Sequence, residues 1–119
     1  MDMDKTWHGL HFLLSGSADP VHGAAGFLLN GEEVEEVGDA DVYIHTAAEV
    51  AEFSKLLTAT TARDLLDRYD SRQMKALELY PKLDWDQGDF DYLLEYYNRL
   101  RPFVQCHADL GNELMVIIC

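Results

Sequence analysis

Between Asp84 and Asn112 large apolar residues recur every three or four positions. Phe90, Leu93, Leu94, Tyr97 and Leu100 form one stripe, and Tyr92, Tyr96 and Phe103 a second. That period predicts the longest helix of the chain, led in by the acidic turn "KLDWDQGD" and closed by Gly111-Asn112. Pro102 sits inside the pattern, where a missing N–H predicts a kink or break. "ELMVIIC" then reads as a final strand.

The segments upstream are shorter. Asp4 is placed to cap a first helix running through about Leu14, with Ser15-Gly16 ending it. On that helix Trp7, Leu10, His11 and Leu14 share one stripe, and His8 and Phe12 lie toward the other side. "SGSADPVHGAAG" reads as loop, "GFLLNG" as a strand or a tight bend, and "EEVEEVGDAD" as a solvated acidic stretch leading into the strand "VYIHT". Thr46 and Glu49 spell a capping box for a helix that buries Val50, Phe53, Leu56 and Leu57. Thr60 or Thr61 caps the next helix, whose inward residues are Leu65, Leu66 and Tyr69. A further piece, "SRQMKALELY", turns Met74, Leu77 and Tyr80 inward and stops at Pro81. The fold class expected is α+β, mostly helical with a small sheet and a C-terminal strand, in a single domain over residues 1–119.

Hydrophobic residues at 48% and charged residues at 26% describe a chain that folds around a modest core. Its 22 acidic against 9 basic side chains leave a formal charge of −13. Such a surface repels nucleic acid and anionic lipid, and speeds encounter with a basic partner. No apolar run is long enough to span a membrane, the N-terminus "MDMDKTW" is acidic, and two cysteines make no disulfide framework. A cytoplasmic location is the expectation.

The order of segments resembles the YfbM-like family of small bacterial proteins. The resemblance rests on "DKTWHGLHFLLSG" at residues 4–16 and "GFLLNGEEV" at 26–34. It continues through "TAAEVAEFSKLL", "RYDSRQM…LYPKLDW" at 68–85 and "YLLEYYNRLRPF" before the last strand, so it covers nearly the whole chain from Asp4. It implies an α+β domain and little about activity, since the family is known as a domain of unknown function. Members usually carry a strand and a helix before the tryptophan–histidine helix, at which this sequence almost begins; a sheet edge open to a partner is the expectation. Pro102 stands in a helix that the family keeps continuous.

Two classes of site follow from the residues. His8 and His11, at i and i+3, are close enough to share a ligand, and with Trp7 and Tyr43 they are candidates for a ligand pocket that His22 and His45 would supplement. A structural role in a core helix is the competing reading of both histidines, and it is preferred. No Cys-x-x-Cys or His-x-x-x-His spacing points to a metal, and no cofactor is expected. Asp84 to Glu95 places acids at positions 1, 3 and 12 of a calcium loop, but its glycine is displaced and Asp91 stands where an apolar residue belongs. No catalytic residue set emerges: Cys106 and His107 are sequence neighbours that point apart, and Ser15 and Ser17 lack a nucleophile elbow.

The second class is a partner surface. One acidic run comprises Glu32, Glu33, Glu35, Glu36, Asp39 and Asp41; the other comprises Asp84, Asp86, Asp89 and Asp91 around Trp85 and Phe90, with Tyr92 and Tyr96 beyond. Carboxylates around aromatic anchors suit a basic protein surface. The sequence thus favours a non-catalytic interaction module of the immunity or antitoxin kind that masks a basic protein. A ligand-binding or enzymatic domain and a homo-oligomer are the alternatives.

Overall fold

The structure, a computed structural model, describes residues 1–38 and 40–118, and among these not the side chains of residues 35–37. Asp39 and Cys119, and the side chains of Glu35 and Glu36, lie outside that description.

Five helices surround one core and a small sheet closes one side. Helix α1 spans Trp7–Ser15, two residues later than Asp4 predicts, with Thr6 at its N-cap and Gly16, at φ 75°, closing it. Leu10, Leu13 and the His11 ring face inward. The Arg68 guanidinium donates to the Leu13 carbonyl at 3.1 Å, which places a cation at the carbonyl end of α1. "GFLLNG" is a bend rather than a strand: a 3₁₀ turn at Ala24–Gly26 runs into a second turn that buries Phe27 and Leu28.

The acidic stretch does not remain a loop. Glu32–Val37 forms β1, which pairs antiparallel with β2, Ala40–His45, through a turn at Gly38. Its glutamates hid the strand, because an edge strand needs only the ladder to its neighbour and one half-covered face. The β1–β2 register shifts between Val34 and Val37, a bulge in the edge. Helix α2 (Ala47–Ala59) carries the Thr46/Glu49 capping box, and α3 (Ala62–Arg68) an equivalent box from Thr61 and Asp64. Helix α4 is short, Ser71–Ala76; Met74 and Leu79 are buried, while Leu66, Leu77 and Tyr80 are exposed rather than inward.

Helix α5 runs unbroken over Gln87–Asp109, through Pro102. Pro102 and Asn98 both lie on the exposed side, so the Asn98 carbonyl that proline leaves without a donor faces water. Inward, Phe90, Leu93, Tyr97, Leu100 and Val104 enter the core, α5 packs mainly on α2, and the Tyr97 hydroxyl donates to the Leu57 carbonyl at 2.8 Å. Strand β3, Leu114–Ile118, then pairs antiparallel with β2 and completes the order β1-β2-β3.

The register sorts the sheet into two faces. Asp41, Tyr43 and His45 share one with Ile118, Val116 and Leu114, and Leu114 and Val116 pack on the core. Val34, Val42, Ile44, Met115 and Ile117 share the outer face. Val42 is buried without belonging to the core cluster, shielded by its neighbours on that outer face. No helix among the described residues is long and apolar enough to cross a membrane.

Candidate functional site

Histidines 8 and 11 are held by the fold in different ways. His8 Nδ1 accepts from the Tyr80 N–H at 2.8 Å, so Nε2 carries the proton and donates to the Ala18 carbonyl at 2.9 Å. Both ring nitrogens are thereby used, and the imidazole ties α1 to two distant loops. Trp7 stacks with both His8 and Tyr80, with centroids at 5.1 and 5.5 Å. His11 is fully buried; its Nε2 donates to the Asp19 carbonyl at 2.8 Å and its Nδ1 has no partner among the described residues. Tyr43 stands on β2 between Glu33 and Val116. The structure therefore joins Trp7 to His8, sinks His11 into the core and leaves Tyr43 on the sheet.

Burial pushes the His11 imidazole below its ordinary value, outweighing the raising effect of the Asp19 carbonyl. Below pH about 6.5 the unfolded chain takes up a proton that the folded chain refuses, so stability falls as pH drops through that value. Urea unfolding of the wild type is expected to lose about 1 kcal/mol more between about pH 7.5 and 5.5 than unfolding of His11→Gln. Equal losses would show that His11 does not carry the dependence.

The second acidic run serves local structure. Asp86 caps α5 and Asp89 completes its capping box, Asp84 pairs with Lys75 at 3.5 Å, and the segment that matched a calcium loop is helix from Gln87 onward. Trp85 is 1% exposed and cannot anchor a partner. It precedes the N-cap and Phe90 stands at the fourth helical position, the pair of places where a hydrophobic staple forms; that spacing is the sequence signal for its burial. The Tyr92 hydroxyl donates to the Asp4 carboxylate and accepts from the Lys5 N–H at 3.1 Å; burial first, and then that carboxylate, push its pKa up to about 12. Tyr96 is half-buried beneath the Arg99 guanidinium, 4.8 Å from the ring centre.

The first acidic run is the open one. Glu32, Glu33 and Asp41 are exposed on the hairpin that also carries the outer sheet face. On that face Met115 is 55% and Ile117 57% exposed, beside half-buried Val34 and Ile44. No reading of single segments finds this patch, because its members come from three strands. His22 and His45 meet elsewhere, in a cleft with Asn30, Glu49 and Glu52.

Comparison with known proteins agrees with the arrangement of elements. The family model for a domain of unknown function, DUF1877, matches residues 1–117. This chain belongs to the DUF1877 family. The solved structure of YfbM from Escherichia coli, described as a protein of unknown function, resembles it with a TM-score of 0.77 at 24% identity, over 99% of this chain and 80% of that one. At that identity the likeness is one of fold: the α+β architecture is shared, and no activity comes with it. Among curated proteins none matches this DUF1877 chain.

Proposed function

We propose that this DUF1877 domain is a non-catalytic protein-interaction module whose partner is a basic protein, masked as an immunity protein or antitoxin masks its target. The observation that carries the reading is the outer sheet face. Val34, Val42, Ile44, Met115 and Ile117 lie side by side there, with the last two more than half exposed. A contiguous apolar patch of this kind marks an interface more often than a bare surface. The exposed carboxylate of Glu32, opposite Ile44, stands on that face, those of Glu33 and Asp41 lie on the reverse of the same hairpin, and the chain carries −13 overall. A basic surface is steered toward a hairpin and a molecule of that charge, whereas a second copy of equal charge is repelled. The histidine-pocket alternative loses support because His8 has no free nitrogen and His11 is buried.

Met115→Thr/Ile117→Thr removes the exposed apolar side chains while keeping strand propensity and charge, and at exposed positions it should leave the fold intact. A photo-crosslinker placed at Val34 of the wild type in cognate cells is expected to trap a protein of high isoelectric point. Its purified complex should weaken roughly tenfold to a hundredfold with the double substitution. A trapped partner that is acidic, an affinity unchanged by the substitution, or a wild-type dimer that the substitution disperses would each overturn the reading.

A further inference from the structure

A cleft of about 320 Å³ opens where the Gly23–Asn30 turns meet the start of β1 and the first half of α2. That volume lies at the lower end of small-molecule sites, about 300–1,000 Å³. Its wall holds a polar atom that the fold leaves without a partner, Nε2 of His45, on a side chain 3% exposed. His45 Nδ1 lies 3.3 Å from Glu49 Oε2, so in the neutral ring the proton sits on Nδ1 and Nε2 offers a lone pair. Buried acceptors are normally satisfied, and this one has no donor among the described residues.

The surroundings are built around that ring. Phe27 stacks on it with centroids 3.6 Å apart and planes at 15°, and Phe53 backs Phe27 at 4.1 Å. Gly31, at φ 147°, keeps the corner open: a Cβ there would stand 2.9 Å from Cε1 and 3.0 Å from Nε2 of His45. Glu32, Glu49 and Glu52 supply carboxylates at the mouth. The Thr46 N–H, bonded to Glu49 at 3.0 Å, holds that carboxyl below its ordinary range and therefore charged.

The cleft thus presents acceptors of two kinds, a buried neutral nitrogen and surrounding anions. Among the described residues no group of three His, Cys, Asp or Glu side chains is arranged to hold a metal ion. The cation that fits is one rich in N–H donors. We propose that this cleft binds the guanidinium group of a small molecule. A guanidinium brings five donors in one plane, enough to serve His45 Nε2 and two carboxylates together. An alkylammonium brings three donors and a stronger hydration shell. The cleft shares only Glu32 with the surface proposed for a protein partner, and the residues substituted to test each, Met115 and Ile117 there and His45 and Glu52 here, belong to one alone.

Butylguanidine and butylamine, which share one tail, test the assignment by titration followed through the backbone NMR signals of Gly31 and His45. Acetyl-Gly-Arg-Gly-amide forms a third arm. Butylguanidine is expected to saturate below about 10 mM and to bind at least about fivefold more tightly than butylamine. Glu52→Gln and His45→Phe should each weaken it about tenfold, with the thermal midpoint of each variant confirming a folded chain. Binding of butylguanidine but not of the peptide supports the proposal as stated. Equal or tighter binding of the peptide would reassign the source to a protein side chain and overturn the small-molecule part. No saturation, equal affinity for butylamine, or indifference to both folded variants would overturn the site itself.

Discussion

Trp85→Ala is expected to lower the free energy of unfolding by about 3–5 kcal/mol, read as a drop in the urea midpoint. The indole is 1% exposed, and its Cη2 reaches within 3.4 Å of where a Cβ on Gly9 would stand, at the crossing of α1 with the start of α5. Removing it takes away both the transfer energy of the ring and the contacts of its neighbours, because helices pinned at both ends cannot collapse into the space. Domains of this size hold about 5–15 kcal/mol in all, so the loss is a large share. Trp85 has φ 54°, but alanine inherits the same backbone, so that strain largely cancels. A midpoint that barely moves would mean that the indole faces solvent and is free to anchor a partner.

Gly26→Ala is expected to cost about 3 kcal/mol or more and to disrupt the His45 cleft in the same stroke. A Cβ on Gly26 would lie 1.8 Å from the Val21 carbonyl oxygen and 2.8 Å from its carbon, a backbone collision that no rotamer change relieves. The turn has to move, and Phe27, the next residue, leaves its place between His45 and Phe53. Gly88→Ala is the control. There the nearest atom is an Asp86 carboxylate oxygen at 3.4 Å, and alanine in the first turn of α5 should add up to about 1 kcal/mol. Urea midpoints of the two variants should therefore move in opposite directions; a shared direction would refute the steric account of Gly26.

What was legible in the sequence was what neighbours in the chain decide. The Thr46/Glu49 box, the α5 stripe and the apolar run of β3 each need only a few consecutive residues, and all three stand where the pattern put them. The α+β class followed from those. Strand β1 was not legible, because two valines among four glutamates carry no alternation; pairing with β2 makes it a strand. The role of His8 was hidden for another reason. Its acceptor nitrogen is matched by an N–H 72 residues away, and spacing along a helix says nothing of such a partner. For Trp85 the acidic neighbours point to an exposed anchor, whereas the staple spacing to Phe90 is the local signal of its burial. The cleft around His45 depends on Gly31 and on turns that no periodic pattern describes.

The two edges of the sheet are not alike. The β1 edge carries glutamates and a bulge, both of which discourage a further strand. The β3 edge has neither: Leu114 to Ile118 bears no charge and keeps an even register over five pairs. A strand from outside can therefore lengthen the ladder at one end only. Two chains that met edge to edge at β3 would use up the open end of each and leave the guarded β1 edges facing outward. Growth of that kind would stop at a pair, because the bulge and the glutamates of one short hairpin guard the other end of the sheet.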